Sequence, residues 1–186
     1  MFNRFVIANP DRCLGCYTCM AACVVNHLKQ GLQAYPRLHV SYSPAGTMPV
    51  QCHHCEDAPC ALVCPVKAIE VKEQMVKLNE GLCIGCKMCA LVCPFGAITI
   101  QGTPPPSVQA EPTSLPSSLL AWLAGHKTIG IKCDLCEFDQ DGPQCVRVCP
   151  TKALQLVEGG DVERWSKLKR AGAVTGAVAI FKGAEG

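Results

Sequence analysis

Residues 83–94 read CIGCKMCALVCP, with cysteines at spacings of three, three and four and a proline directly after the last. Three further stretches of the chain vary this pattern. Each begins with C-x2-C and ends with C-x3-C, and the gap between these halves is two, four, two and eight residues in chain order. The four groups are Cys13, Cys16, Cys19 and Cys23; Cys52, Cys55, Cys60 and Cys64; Cys83, Cys86, Cys89 and Cys93; and Cys133, Cys136, Cys145 and Cys149.

The chain is rich in cysteine and poor in large apolar rings. Of its 186 residues, 16 are cysteine and 5% are aromatic, so Phe, Tyr and Trp alone cannot hold a core together. The N-terminal stretch MFNRFVIANPDR has neither a long apolar run nor twin arginines, so we expect a cytoplasmic protein. Thiols in that compartment indicate metal binding rather than a disulfide framework.

Several classes of function are disfavoured by the sequence. Lys and Arg total 17 against 15 Asp and Glu and are spread thinly, which argues against a nucleic-acid partner. The longest apolar run, Ala171–Phe181, is too short and too rich in glycine to cross a bilayer, so we expect no transmembrane segment. Phosphate loops, dinucleotide fingerprints and Ser–His–Asp arrangements are absent from the sequence, and we predict no catalytic residue.

The cysteine groups lie within a repeated unit. Runs rich in β-branched residues precede them at Phe5–Ile7, Val76–Leu78 and Ile129–Ile131, and these runs predict strands. A proline after the fourth cysteine fixes φ and ends the turn that carries the cysteines. The repeat therefore predicts a strand, a metal loop, one helical turn and a second strand in each unit.

The first group departs from this rule because Val24, not a proline, follows Cys23. We therefore predict that the helix continues from Thr18 to Gln30 and ends at Gly31. In the insertion that comes next, the stretch YPRLHVSY predicts a short strand.

Two regions fall outside the repeat. Residues 101–127 hold five prolines and predict an extended insertion, followed by a short helix in SSLLAWLAG. We expect its Trp122 to cover the cysteine region of its own chain. In the last part, 158–186, DVERWSKLKRA predicts a helix and small apolar residues follow it. We interpret this tail as a surface for docking on a partner and for higher-order assembly.

The spacing distinguishes between two metals. Structural zinc sites take two C-x2-C pairs separated by a longer span. Here three cysteines arrive within a short run and a fourth follows four places later, which is the bacterial ferredoxin pattern for [4Fe–4S] clusters. Sixteen thiols then predict four clusters. His53 and His54 lie between two of the thiols, but each group already has four cysteines, so we expect hydrogen-bonding or surface roles for these histidines.

In ferredoxins with two clusters, the fourth cysteine of one run binds the cluster of the other run. The second and third groups are close in sequence and form the natural inner pair, which leaves the first and fourth to pair with each other. Pairing first with second and third with fourth is the alternative, which the proline-rich insertion disfavours. The four predicted sites are site 1, Cys13, Cys16, Cys19 and Cys149; site 2, Cys52, Cys55, Cys60 and Cys93; site 3, Cys83, Cys86, Cys89 and Cys64; and site 4, Cys133, Cys136, Cys145 and Cys23.

Four segments carry a resemblance to a known family: NRFVIA, CHHCEDAPCALVCPVKAI, KLNEGLCIGCKMCALVCPFGAI and KCDLCEFDQDGPQCVRVCPTKAL. They resemble the small iron–sulfur subunits of formate hydrogenlyase and of hydrogen-dependent carbon dioxide reductase. More broadly, they are similar to the four-cluster subunits of dimethyl sulfoxide reductase-type molybdoenzymes. The resemblance covers about residues 3–157 without the insertion. It implies a double ferredoxin-like fold, and it implies that the first group pairs with the fourth and the second with the third.

These expectations define one fold and one function. The fold class is α+β, a tandem or double bacterial-ferredoxin-like fold stapled by four [4Fe–4S] clusters, with loop insertions and a C-terminal helical tail. The four-cluster domain spans 1–157, with an inner core at about 50–100, an outer pair from 1–49 and 128–157, and the tail at 158–186.

By resemblance, the chain passes single electrons between a molybdenum or tungsten formate dehydrogenase subunit and a hydrogenase or second iron–sulfur subunit. The alternatives are a subunit of another molybdopterin oxidoreductase, a free polyferredoxin and, more remotely, a zinc-stapled assembly scaffold.

Overall fold

The computed structural model describes residues 3–44, 46–102 and 128–183. Within these ranges short strands and helices alternate. The strands are Phe5–Ala8 (β1), Leu38–Ser43 (β2), Gly46–Gln51 (β3), Ile69–Lys72 (β4), Met75–Leu78 (β5), Thr99–Gly102 (β6), Ile129–Ile131 (β7) and Leu154–Val157 (β8). The α-helices are Thr18–Lys29 (α1), Pro59–Leu62 (α2), Met88–Val92 (α3), Gln144–Arg147 (α4) and Asp161–Gly183 (α5), and a 3-10 turn covers Pro10–Arg12.

The strands form two-stranded antiparallel sheets that join particular units. β1 pairs with β8, with Phe5 opposite Val157, so the first unit is joined to the fourth. β4 and β5 form a hairpin between the second and third units. Its two turn residues, Glu73 and Gln74, both have positive φ, as a tight hairpin turn requires. β6 pairs with β7 and so connects the third unit to the fourth.

The helices repeat this arrangement. α1 packs against α4, and α2 packs against α3. Each of the short helices α2, α3 and α4 carries the third cysteine of its group at a buried position, namely Cys60, Cys89 and Cys145. Mixed α and β content in small sheets agrees with the predicted α+β class. The predicted strands at Phe5–Ile7, Val76–Leu78 and Ile129–Ile131 are confirmed as β1, β5 and β7.

Helix α1 and the hairpin behind it correspond to the predicted departure at the first group. α1 ends at Lys29, and Gly31 takes the left-handed conformation with φ +68°, which terminates a helix at little cost for glycine. The strand predicted in YPRLHVSY is confirmed as β2. Its hairpin partner β3 leads directly into the second cysteine group, and the Thr47 hydroxyl donates to the carbonyl oxygen of Cys13 at 3.0 Å.

Two separate clusters of buried side chains hold these elements together. One lies in the first and fourth units and extends to β5. The other lies in the second and third units. The first contains Val6, Cys19, Cys23, Leu38, Met75, Leu135, Cys145 and Leu154, and the second contains Ala58, Cys60, Ile69, Val76, Cys89 and Ile98. Cysteine is part of both clusters, so several of the thiols lie inside the core.

The C-terminal helix is longer than predicted. DVERWSKLKRA was expected to be helical, and α5 continues beyond it to Gly183. Side chains along α5 are exposed, among them Leu168 and Val174. No helix in the described part of the chain is both long and apolar enough to cross a bilayer. The helix predicted in SSLLAWLAG, with Trp122, lies outside the described residues.

Candidate metal centres

Four thiols of the first and fourth groups line one cavity. Cys13, Cys16 and Cys19 come from the first unit and Cys149 from the fourth, around a space of about 320 Å³. Tyr17, Thr151 and apolar side chains such as Leu14 line the rest. This is the set of residues predicted for site 1. Thiolates are soft ligands of the kind that hold iron–sulfur clusters.

Four thiols of the second and third groups line a second cavity of about 350 Å³. Cys83, Cys86 and Cys89 come from the third unit and Cys64 from the second, which is the set predicted for site 3. Gly85 in this loop has φ +70°. Residues with a side chain rarely adopt this backbone conformation, so glycine suits this position in the turn between the ligands.

Among the remaining eight cysteines, electrostatic interactions connect members of the sets predicted for sites 2 and 4. Burial raises the pKa of Cys55 and Cys60, and the nearby charges of Cys52 and Cys93 raise it further. These are the cysteines predicted for site 2.

Burial and neighbouring charges also raise the pKa of thiols predicted for site 4. Burial raises the pKa of the Cys136 thiol to about 11, and the charge of Cys23 adds to that rise. Burial also raises the pKa of Cys133, and the charges of Asp134 and Cys145 add to that rise. Thiols whose pKa is raised in this way are protonated at neutral pH, and a bound metal would hold them as thiolates.

Backbone N–H groups point at the sulfurs in a repeated way. The amide four residues after the last cysteine of a unit donates to that cysteine's Sγ, from Ala68 to Cys64 at 3.2 Å and from Ala153 to Cys149 at 3.2 Å. Ala97 does the same for Cys93 at 3.4 Å. The residue before each alanine has positive φ, which turns the amide toward the sulfur. These donors were not foreseen from the sequence, although the repeated text CPVKA, CPFGA and CPTKA carries the signal.

Cys23 receives its hydrogen bond from elsewhere because α1 continues past it. The backbone N–H of Arg37, fourteen residues later in the chain, donates to its Sγ at 3.3 Å. Hydrogen bonds to sulfur are among the factors that set the reduction potential of a cluster. The same type of stabilisation is therefore present at Cys23 although its source is different.

A network of charged side chains lies beside site 4. His27, fully buried, contacts the Asp134 carboxylate through Nε2 at 3.0 Å and the Cys23 carbonyl oxygen through Nδ1 at 2.7 Å. Burial opposes protonation of His27, but its hydrogen bonds to Asp134 and Cys23 raise the pKa to about 9. The Arg37 guanidinium forms ion pairs with both carboxylates nearby: its Nε lies 3.7 Å from Asp134 Oδ2, and its Nη2 lies 2.7 Å from Glu80 Oε1. The His27 ring is therefore an imidazolium cation held between the Asp134 carboxylate and the Cys23 carbonyl oxygen.

His27, Asp134 and Cys136 could also hold a single metal ion, since their ligand atoms lie within 4.8 Å of one another. A protonated imidazole has no lone pair for a metal. Cys136 also belongs to the set predicted for site 4. We therefore interpret His27 and Asp134 as an ion pair beside site 4.

A second polar group is buried between sites 2 and 4. The Val76 N–H donates to His54 Nδ1 at 3.0 Å, which leaves the imidazole proton on Nε2. Burial, followed by the charge of Lys132, lowers the pKa of His54 to about 3, so the ring is neutral. Lys132, only 3% exposed, donates to the carbonyl oxygens of Val76 and Cys133. The hydrogen-bonding role predicted for His54 is confirmed, and His53 stacks on Phe95.

Two of these buried groups fit a negatively charged sulfur cluster. His54 Nε2 has no hydrogen-bond partner in the described part of the chain. No carboxylate among the described residues pairs with Lys132. A buried donor and a buried cation are both costly when unsatisfied. Iron–sulfur clusters held by thiolates would supply an acceptor and an opposite charge, so the residues present fit the group.

These observations define a class, an iron–sulfur protein with a ferredoxin-like domain. The family described as 4Fe-4S binding domain matches residues 76–99, which include all four cysteines of the third group. The chain is 51% identical over 179 residues to formate hydrogenlyase subunit 2 of Escherichia coli, covering 90% of this chain and 88% of that protein. It is 47% identical to hydrogenase-4 component A of Escherichia coli, covering 90% and 89%.

The chain belongs to the family of iron–sulfur electron-transfer subunits that includes these two proteins. Electron transport protein HydN of Escherichia coli is also similar, at 38% identity over 90% of this chain and 95% of that protein. Among solved structures, the active-site complex BamBC of benzoyl coenzyme A reductase matches with a TM-score of 0.38 and 18% identity, covering 95% of this chain and 96% of that chain. A TM-score at this level establishes no shared fold.

Proposed function

We propose that the chain is a non-catalytic electron-transfer subunit in which sites 1, 2, 3 and 4 each hold one [4Fe–4S] cluster in a double ferredoxin-like fold. Two sets of four thiols that line common cavities support this. So do the interactions that group the other eight thiols. The sets are those in which the fourth cysteine of one run serves the cluster of its partner run.

The single observation that carries the proposed order of the clusters is the exposure of two cysteines. Cys16 of site 1 and Cys86 of site 3 are exposed, whereas sites 2 and 4 have none that is. Sheet β1–β8 and helices α1 and α4 connect site 1 to site 4, and α2 and α3 connect site 2 to site 3. Lys132 and His54 lie between sites 4 and 2. The order is therefore 1–4–2–3, with the two exposed sites at opposite ends.

The chain's own residues would prepare this path for electrons. When bound, each cluster accepts or releases one electron at a time. The amides of Ala68, Ala97 and Ala153 donate to ligand sulfurs and so stabilise negative charge on them. Buried cysteines such as Cys145 keep water away from sites 4 and 2, which lie in the middle of this order. The ends remain open, at Cys16 and Cys86, for partners to approach.

We infer that the partners are a molybdenum or tungsten formate dehydrogenase subunit at one end and a hydrogenase, or a second iron–sulfur subunit, at the other. The names of the relatives, formate hydrogenlyase subunit 2 and hydrogenase-4 component A, support this pair. Residues 1–157 would form the four-cluster domain, with the inner core at about 50–100. The tail at 158–186 would dock on a partner in the cytoplasm, since α5 exposes apolar side chains such as Leu168.

The test is anaerobic purification through a tag on the complete chain, followed by one assay. Hydrogen and carbon dioxide are supplied without any added electron carrier, and formate is measured. Formate is the expected product, because the particle then contains both enzymes and a path between them. Its absence from a complex with all clusters loaded would contradict the formate dehydrogenase–hydrogenase pair and favour another molybdopterin oxidoreductase. Purification of the chain alone would favour a free polyferredoxin.

A further inference from the structure

Lys132 is a buried cation whose Nζ donates to backbone carbonyl oxygens. It follows β7 and precedes Cys133, and its side chain is 3% exposed. Its Nζ donates to the carbonyl oxygen of Val76 and, at 2.7 Å, to that of Cys133. Within 3–44, 46–102 and 128–183, no Asp or Glu forms an ion pair with it. An isolated ammonium in such a place is costly unless an opposite charge lies nearby.

The lysine lies where the inner and outer cysteine pairs meet. Cys133, the next residue, belongs to site 4. Burial raises the pKa of the site 2 thiols Cys55 and Cys60, and the Lys132 charge opposes that rise. The Val76 peptide joins the two sides, because its carbonyl oxygen accepts from Lys132 and its N–H donates to His54. The charge of one lysine therefore acts on ligands of two sites.

Clusters at these sites would supply the missing opposite charge. Four thiolates around a [4Fe–4S]²⁺ core leave a net charge of about −2, and reduction by one electron makes it about −3. A fixed cation stabilises the reduced form more than the oxidised form, because the attraction grows with the charge. Reduction breaks no bond in the chain, and the electron comes from the neighbouring cluster or redox partner.

We propose that Lys132 is a tuning cation that raises the reduction potentials of the clusters at sites 2 and 4 together, so that the middle of the relay holds an electron more readily than its ends. The inference rests on the proposed function, since it requires clusters at both sites. The competing explanation is purely structural, in which Lys132 only connects β5 to the fourth metal loop through hydrogen bonds.

The experiment is a potentiometric titration of the anaerobically prepared full chain, followed by electron paramagnetic resonance of the reduced clusters. Lys132→Gln keeps an N–H donor for the Val76 carbonyl but removes the charge. Lys132→Arg keeps the charge. The control Lys169→Gln removes the same charge from an exposed side chain on α5.

For Lys132→Gln we expect the equilibrium constant for reduction to fall at least tenfold at two clusters, which is about 59 mV for a one-electron couple. The other two clusters should be unchanged. In Lys132→Arg, the equilibrium constants for reduction should stay within a few-fold of the wild-type values. Lys169→Gln should shift no reduction potential. Four loaded clusters with unmoved potentials in Lys132→Gln would overturn the inference, as would an equal shift of all four.

Cluster loading decides the remaining cases. Loss of two clusters in Lys132→Gln with retention in Lys132→Arg would support charge compensation, because Arg keeps the positive charge that Gln removes. Loss in both variants would overturn it in favour of a structural role. The wild-type titration counts the clusters independently. Fewer than four clusters there would refute the proposed function, whereas four clusters with an unaffected Lys132→Gln variant would refute only the role of Lys132.

Discussion

The ion pair between His27 and Asp134 should make stability depend on pH above neutrality. His27 has its pKa raised from 6.5 to about 9 by Asp134 and Cys23, against the opposing effect of burial. A raised pKa means that the stabilisation is fully present below pH 6.5 and is lost as pH rises through about 9. A rise of this size corresponds to about 3 kcal/mol. This lies at the lower end of the cost of breaking a buried ion pair, about 3–5 kcal/mol.

The perturbation that tests this is Asp134→Asn, which preserves the shape of the side chain and removes its charge. At pH 6 we expect the free energy of unfolding of the variant to be about 3 kcal/mol lower than that of wild type, because His27 then lacks the Asp134 carboxylate as its anionic partner. Above pH 9 the difference should shrink. With a guanidinium m-value of about 4 kcal/mol/M, the difference at pH 6 is a midpoint shift of about 0.8 M.

The assay is anaerobic guanidinium unfolding of the cluster-loaded chain at several pH values, followed by cluster absorbance and circular dichroism. The matched control is Asp141→Asn, which removes an exposed carboxylate 2.9 Å from Arg147. Pairs of this kind contribute about 0–1 kcal/mol. Parallel pH profiles for wild type and Asp134→Asn, or equal stability at pH 6, would refute the reasoning.

Three further predictions concern the helix end, the cluster ligands and the tail. Gly31→Ala should cost about 1 kcal/mol in thermal or chemical unfolding, because Gly31 has φ +68° and open space where a Cβ would lie; an unchanged midpoint would contradict this. Cys60→Ala and Cys93→Ala should each remove about four iron atoms and the same paramagnetic signal, since both are assigned to one cluster; Cys64→Ala should remove a different signal, and a shared signal for Cys60 and Cys64 would reject the pairing. Deletion of 158–186 should leave the iron content intact and weaken co-purification of partner subunits, and unchanged co-purification would exclude docking by the tail.

Features determined by a few neighbouring residues could be predicted from the sequence. The absence of proline after Cys23 and the presence of Gly31 predicted the length of α1 to within one residue. The β-branched runs before the cysteine groups predicted β1, β5 and β7. In each case the cause is local, because proline, glycine and β-branched residues restrict the backbone where they stand.

Features that depend on docking between units could not be predicted. The N–H of Arg37 donates to the sulfur of Cys23 from fourteen residues away, after the turns that follow α1 have brought the chain back. Lys132 and His54 meet at Val76, although 78 residues separate the lysine from the histidine in the sequence. No spacing rule connects such residues. Their contacts become visible only when the strands and helices are in place.

In the tail, the sequence predicts the right kind of element but too short a helix. A helix was predicted in DVERWSKLKRA, and the small residues behind it were interpreted as a separate apolar tail, yet α5 includes both. Alanine is the best helix former, and each helical glycine costs about 1 kcal/mol. Ala171, Ala173 and Ala177 accompany Gly172 and Gly176, so composition favoured continuation more than the glycines opposed it.

The most direct test of the central claim is a metal count on the anaerobically purified chain, combined with integrated paramagnetic resonance of the fully reduced protein. We predict about sixteen iron atoms, about sixteen sulfides and four one-electron centres per chain, with no stoichiometric zinc. About four zinc ions with no labile sulfide would contradict it and would define a zinc-stapled scaffold instead.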